Sequence, residues 1–419
     1  MIRTARARRF YGWRVVGAAF MLAVFGWGTG FYGPPVYLHA VRETRGWPLA
    51  LVSAAVTVHF LIGAVAVANL PALYRRFGLA AITSAAAFSM AVGVLGWAIA
   101  ATPWQLLLAT LLSGVGWAGM SGAAVNAIVS PWFVRARPAA LAMAYNGASI
   151  GGVVFSPLWV AAIGVLGFPA AAAAIGLVMA LAVWLLARRI FSRTPHALGL
   201  MPDGDAPGAP AEAVMLPGVR PLPGALLWRD ARFLTLAAGM ALGLFAQIGL
   251  IAHLFSLLVP ALGEQQAGLA MSAATAFAIA GRTLVGWLMP VAADRRLVAC
   301  ASYAVQIAGS AAFVVAAGTS VPLLLLGVVL FGIGIGNATS LPPLIAQVEF
   351  VRDDVARVVA LIVAIAQAAY AFAPAAFGLI REFGSLAIGA DAGATAPFFV
   401  VAALVQALAI VALLAGRGR

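Results

Sequence analysis

The chain alternates long apolar runs with short arginine-bearing loops, and that alternation leaves few folds open to it. Twelve apolar spans run near residues 14–38, 48–70, 79–101, 104–129, 138–162 and 169–187, then 233–258, 267–290, 297–318, 322–346, 358–380 and 396–415. Each is about 20 residues or longer, the length a helix needs to cross a hydrocarbon core at ~1.5 Å per residue. In lipid the backbone N–H and C=O groups find no water, so such spans must satisfy one another within helices. With 64% apolar and 9% charged residues over 419 positions, a soluble globular domain is excluded. The fold class is an all-α polytopic membrane protein.

Charge sets the expected topology. All 25 basic residues are arginine. Arg42, Arg45 and Arg381 fall on one side of the membrane and Arg282 falls inside a span; every other arginine falls on the opposite side. By the positive-inside rule, both termini and the central linker are cytoplasmic, as expected of a protein of the bacterial inner membrane. The net charge of +13 does not point to nucleic acid, because the arginines sit in short loops rather than on one basic face. The basic N-terminus leads into an apolar run too long for a signal core, which reads as the first transmembrane helix. The single cysteine, Cys300, excludes an internal disulfide and a cysteine-based metal cluster. No metal and no cofactor is expected.

The chain divides in the middle. Residues 188–232 hold Pro195, Pro202, Pro207, Pro210, Pro217, Pro221 and Pro223 among scattered charges, the composition of a hydrophilic linker. It separates an N-terminal six-helix bundle, 1–187, from a C-terminal one, 233–419. The halves repeat: Gly114 and Gly116 fall 218 residues before Gly332 and Gly334, and Pro157 falls 217 before Pro374. The run from Trp132 to Arg135 returns at about the same offset as Phe350-Val351-Arg352. Gly114, Gly116 and Gly119 match a dinucleotide-binding glycine pattern, but they lie inside an apolar span with no preceding strand. Small residues there serve close helix packing.

The candidate site centres on Arg282, a full charge roughly 6 Å from the midplane of its span at ~1.5 Å per residue. Such a charge costs at least ~2.5–3.5 kcal/mol on insertion scales, so it faces a cavity or a partner. Thr275, Ala278, Arg282 and Gly286 form a small or polar stripe, with Phe277, Leu284, Trp287 and Leu288 opposite. The structural alternative is a snorkelling or ion-paired arginine. Guanidinium suits a carboxylate, because its planar fork donates two parallel hydrogen bonds and stays charged. Among neutral polar residues near the midplane, Tyr32, Asn337 and Tyr370 are taken as contributors, beside Asn126, Asn146, Gln247 and Gln367. Each has interhelical hydrogen bonding as its structural alternative. His59 and His253 sit in spans two and seven, where a helix-packing imidazole is the structural reading and a coupling proton the functional one; His59 is the candidate retained for the proton. Trp13, Trp47, Trp104, Trp132 and Trp228 read as interfacial anchors.

Several motifs resemble those of a known family. Twelve spans in two sixes around a long middle loop are similar to the major facilitator superfamily. Gly12-Trp13-Arg14, Gly30-Phe31-Tyr32-Gly33-Pro34-Pro35, Gly46-Trp47-Pro48, Trp132-Phe133-Val134-Arg135 and Gly199-Leu200-Met201-Pro202-Asp203-Gly204 resemble its monocarboxylate porter branch, with the bacterial oxalate–formate antiporter relatives. The resemblance implies two pseudo-symmetric bundles, alternating access, and Arg282 as the substrate-carboxylate arginine of span eight. Departures are visible: Arg75 stands where an aspartate is usual, although Asp294-Arg295-Arg296 keeps the likeness in the second half. Thr110 stands where the fourth-span arginine is usual, and Val36 and Ala278 replace the lysine and aspartate of proton-coupled animal members. The expected function is a secondary active symporter or antiporter of a small organic anion, a monocarboxylate, with a co-transported proton or an exchanged anion as partner. The alternative is an efflux pump for hydrophobic drugs or another metabolite. A membrane enzyme lacks a nucleophile–base pair here, and no nucleotide motif offers ATP drive. The expected assembly is a monomer or weak dimer in the bilayer.

Overall fold

The computed structural model describes residues 10–205, 224–290, 293–388 and 395–417. The basic stretch with Arg3, Arg6, Arg8 and Arg9, the linker prolines from Pro207 to Pro223 with Arg220, and Arg419 lie outside the described residues. Among the described residues every regular element is helical, and twelve helices are long and apolar enough to cross a membrane. They are Gly12–Arg45, Leu49–Phe77, Leu79–Ile99, Pro103–Trp132, Ala139–Leu166, Phe168–Phe191, Ala231–Leu262, Glu264–Leu288, Arg295–Ala316, Val321–Glu349, Arg357–Gly384 and Ala396–Ala415, hereafter spans one to twelve. Several extend beyond the apolar runs. Arg75 and Arg76, expected in a loop, occupy the last turn of span two, which ends at Phe77 before Gly78 at φ +84°. Cations at a helix C-terminus complement its dipole, so the polar residues prolong the helix instead of ending it. Arg381, also expected in a loop, lies within span eleven, where its Nη1 donates to Ser256 Oγ at 2.5 Å.

Four spans are broken, which the apolar pattern did not announce. Span one consists of Gly12–Gly30 and Gly33–Arg45, with Phe31 and Tyr32 between. Span four consists of Pro103–Ala118 and Gly122–Val129. Span ten consists of Val321–Ile335 and Asn337–Glu349, separated by Gly336. Span eleven breaks at Phe372, between Arg352–Ala371 and Ala373–Ile388. Proline explains two of the breaks. It lacks an N–H and clashes with the carbonyl four residues back, which is Gly30 for Pro34 and Tyr370 for Pro374. In span ten, Pro342 and Pro343 release the carbonyls of Ala338 and Thr339 in the same way. The breaks in spans four and ten fall at matching places of the 218-residue repeat. Pro157, by contrast, sits in one uninterrupted helix, Arg137–Leu166.

The chain forms two compact units. The first comprises Met1–Gly33, Ile62–Gly152 and Leu166–Leu216; the second comprises Pro34–Leu61, Val153–Val165 and Pro217–Arg419. In the first unit, glycines set the helix spacing. A Cβ on Gly151 would lie 2.5 Å from the Val24 carbonyl oxygen, and one on Gly116 2.5 Å from Met90 N. Trp132 is not the interfacial anchor expected: it is 3% exposed and packs on Phe10 and Tyr11, with ring centroids 6.3 and 5.3 Å away. Trp13, Trp104 and Trp228 are exposed.

The start of the linker is fastened to this aromatic cluster. Asp203 Oδ2 accepts from Val134 N at 3.0 Å and Arg135 N at 2.8 Å, and Oδ1 accepts from Ala136 N at 3.1 Å. These three amides immediately precede the span-five helix, so Asp203 holds the entry to that helix from 67 to 69 residues downstream. Asp205 adds an ion pair with Arg135 at 2.6 Å. The turn needs the Asp-Gly pair, because Asp203 stands at φ 60° and Gly204 at φ 77°. Partial burial pushes the Asp203 carboxyl up, but the three amide bonds and the Arg135 charge outweigh it and hold it below the usual aspartate range. Its contribution to stability is therefore present above that range and lost as pH falls through the folded-state value. Asp203→Ala is expected to cost about 1 kcal/mol, the net worth of a typical intramolecular hydrogen bond. Melting temperatures of wild type and variant should differ at neutral pH and converge in acid.

Candidate functional site

Arg282 sits at the span-ten break. Its Nε donates to the Gly336 carbonyl at 3.0 Å, and the residue is half-buried. Glycines bring spans eight and ten close enough for this. A Cβ on Gly332 would lie 2.7 Å from the Ala274 carbonyl oxygen; one on Gly336 would overlap the Ala278 carbonyl, and one on Gly281 the Ile333 carbonyl. Gly281 was not singled out from sequence, whereas Gly286, assigned to the polar stripe, is exposed with open space beside it. The rest of the stripe stands: Thr275 and Ala278 are 4% and 5% exposed, while Leu284, Trp287 and Leu288 face outward. The guanidinium thus rests on the carbonyl that closes the first half of span ten, where the helix dipole is negative.

Three of the neutral candidates, Asn337, Tyr370 and Tyr32, stand at breaks, while Asn126, Asn146, Gln247 and Gln367 lie within helices. Asn337 is the first residue of the second half of span ten and is 2% exposed. Its Oδ1 has no hydrogen-bond partner among the described residues, and it lines a cavity of about 10 Å³ with Met240, Ser302, Tyr303 and Pro342. That space suits about one water. Tyr370 stands one residue before the end of the first half of span eleven, its ring 6.1 Å from Phe60 in a T-shaped contact, and Phe60 adjoins the buried His59 at 5.1 Å. Arg282, Asn337, Tyr370 and His59 all belong to the second unit; Tyr32 lies in the first, at the span-one break, where its N–H donates to the Trp27 carbonyl at 2.8 Å.

His253 has a structural task. Its Nε2 lies 3.0 Å from the Pro374 carbonyl, which only accepts, so Nε2 carries the hydrogen. Thr57 Oγ1 accepts from Ala375 N at 3.0 Å beside it. The span-eleven break is therefore held by side chains of spans seven and two, as the span-ten break is held by Arg282. Among the described residues no three His, Cys, Asp or Glu side chains come together as a metal site.

A second polar cluster lies at the arginine-rich end of the second unit. Asp230 and Asp294 cap spans seven and nine through the amides two residues on, at 2.8 and 2.9 Å. Arg296, 2% exposed, makes a bidentate pair with Glu349 at 2.6 and 2.8 Å, and also donates to Thr235 Oγ1 and to the carbonyls of Arg232 and Leu413. The sequence marked Asp294-Arg295-Arg296 but not Glu349, which lies 53 residues away with no local signal. Removing one partner of a buried pair leaves an uncompensated charge, so Glu349→Ala is expected to cost about 3 kcal/mol. A lowered melting temperature, larger than that of Arg417→Ala, would check it.

The chain matches the Major Facilitator Superfamily model over residues 18–374. No curated protein sequence matches it. Among solved structures it is similar to a bacterial homolog of the human lysosomal transporter Spinster in an inward-facing, unoccupied conformation, with a TM-score of 0.71, 16% identity and 98% of each chain covered. It is also similar to the nucleoside transporter NupG, with a TM-score of 0.73, 14% identity, and 98% of this chain and 99% of that one covered. At such identities the likeness is one of fold. Twelve spans, the paired breaks of spans four and ten, and the family match over most of the sequence make the chain a multi-pass membrane protein belonging to the major facilitator superfamily.

Proposed function

We propose that the protein is a secondary active carrier of a small organic anion, a monocarboxylate, with Arg282 as the group that binds the carboxylate. The observation that carries this reading is a guanidinium inside span eight, half-buried and anchored through Nε to the Gly336 carbonyl. Anchoring one nitrogen fixes the plane of the fork, and a fixed fork loses less freedom on meeting a carboxylate. Asn337, next in sequence to Gly336, and Tyr370 and Tyr32 at their own breaks are the further substrate contacts of this reading. Broken spans whose backbone lines a midplane site are a recurrent device of secondary carriers. In this reading two six-helix halves, 1–187 and 233–419, move about the site, with residues 188–232 joining them. Both termini and the linker face the cytoplasm of a bacterium, and the carrier works as a monomer or weak dimer. His59 carries the coupling proton, or a second anion is exchanged.

Uptake into proteoliposomes tests this. Labelled pyruvate, lactate, acetate and formate are offered with and without an imposed pH gradient. Wild type is expected to take up at least one; Arg282→Gln should lose nearly all of that uptake, and Arg282→Lys should keep a part. Equal transport by Arg282→Gln would sink the assignment. Failure of every acid with folded protein would favour efflux of hydrophobic compounds. His59→Gln is expected to flatten the pH dependence of uptake, and an unchanged profile would remove His59 from the proton path.

A further inference from the structure

We propose that the arginine-rich end of the second unit carries a binding site for a phosphate group, separate from the Arg282 site. It is the cavity of about 220 Å³ between the start of span nine and the ends of spans ten and twelve. Its charged lining is Asp294, Arg295, Arg296, Glu349 and Arg417.

Both acids are already committed. Glu349 places its two oxygens on Arg296, and Asp294 places Oδ1 on the amides of Arg296 and Leu297 and Oδ2 on Arg417 Nε at 2.5 Å. With three arginines against two carboxylates, one positive charge is left over. Donors are left over too. Arg295 uses Nη1 on the Leu344 carbonyl at 2.5 Å, and its Nε and Nη2 have no partner among the described residues. Arg417 uses Nε only, and both its Nη groups are likewise without one. Two guanidinium edges beside one roomy cavity, with the local acids neutralised, are suited to the several acceptor oxygens of a phosphate.

One wall is apolar. Ile345 is buried, and Val348, next to Glu349, is 65% exposed; both line the cavity. A phosphate carried on a lipid would lay its glycerol and first methylenes there, and basic pockets between transmembrane helices take anionic headgroups in this way. The same donors would take a free phosphate ion, so the sources must be separated by experiment.

The test uses purified, delipidated full-length protein in detergent. Short-chain phosphatidylglycerol, the matched phosphatidylcholine (whose choline cancels the phosphate charge) and inorganic phosphate are each titrated, and the melting temperature is read against each protein's own ligand-free value. Phosphatidylglycerol is expected to raise the wild-type value by several degrees and phosphatidylcholine to do little. At least half of that rise should disappear in Arg295→Gln and in Arg417→Gln. Native mass spectrometry of the same samples should show fewer bound phosphatidylglycerol molecules on both variants, a readout independent of their basal stability. An equal, Arg295- and Arg417-dependent rise with inorganic phosphate would support the site with the free ion as its occupant. A rise of the same size with phosphatidylcholine, or one retained with full lipid binding in both variants, would overturn the proposal, as would no response to any of the three.

Discussion

A backbone that breaks inside a membrane leaves N–H and C=O groups that water cannot reach, and each must find a partner from another helix. The second unit meets that demand with polar side chains placed opposite the breaks. Arg282 donates to the Gly336 carbonyl in span ten; His253 donates to the Pro374 carbonyl, and Thr57 accepts from the Ala375 amide, in span eleven. An intramembrane ionisable residue is costly by itself. Here the charge meets the Gly336 carbonyl, which also accepts from Ser340 Oγ at 3.1 Å. The same residue can hold a break and present charge at it, so a structural role for Arg282 is compatible with the proposed substrate-binding one.

Close packing makes these bonds reachable. Gly281, Gly332 and Gly336 let spans eight and ten approach until carbonyl oxygens would touch an added Cβ. Gly147 and Gly151 do the same for spans one and five in the first unit. Lipid tails are as apolar as leucine, so helices in a bilayer gain little from burying large side chains and more from fitting backbones together. Gly378, where a Cβ would crowd Ser53, follows the same rule between spans eleven and two. The charged cluster around Arg296 and Glu349 holds the end of the second unit by other means, with hydrogen bonds from Arg296 to spans seven, ten and twelve in place of small residues.

Much of the fold is legible in the sequence, because span length and apolarity are local properties. The twelve spans follow from runs that any window reveals, and the family from the resemblance of its motifs. The breaks were half legible: Pro34-Pro35 and Pro374 mark two of them, while span four breaks at glycines that read as packing residues. What the sequence could not show is pairing at a distance. Nothing near Glu349 names Arg296 as its partner, and nothing near Asp203 except the Asp-Gly turn signal says that it binds the amides leading into span five. Trp132 illustrates the opposite error. Its place at the end of an apolar span suggested a headgroup anchor, but Phe10 and Tyr11, contributed by the chain's start, cover it.

The most direct test of the central claim is an experimental structure of the full chain with a small monocarboxylate bound, at a resolution that places side chains. The account predicts that the acid's carboxylate lies within ~3.2 Å of the Arg282 guanidinium while Nε stays on the Gly336 carbonyl. A carboxylate found elsewhere, with Arg282 fully engaged by protein groups, would contradict it and leave the arginine as a brace for the broken helix alone.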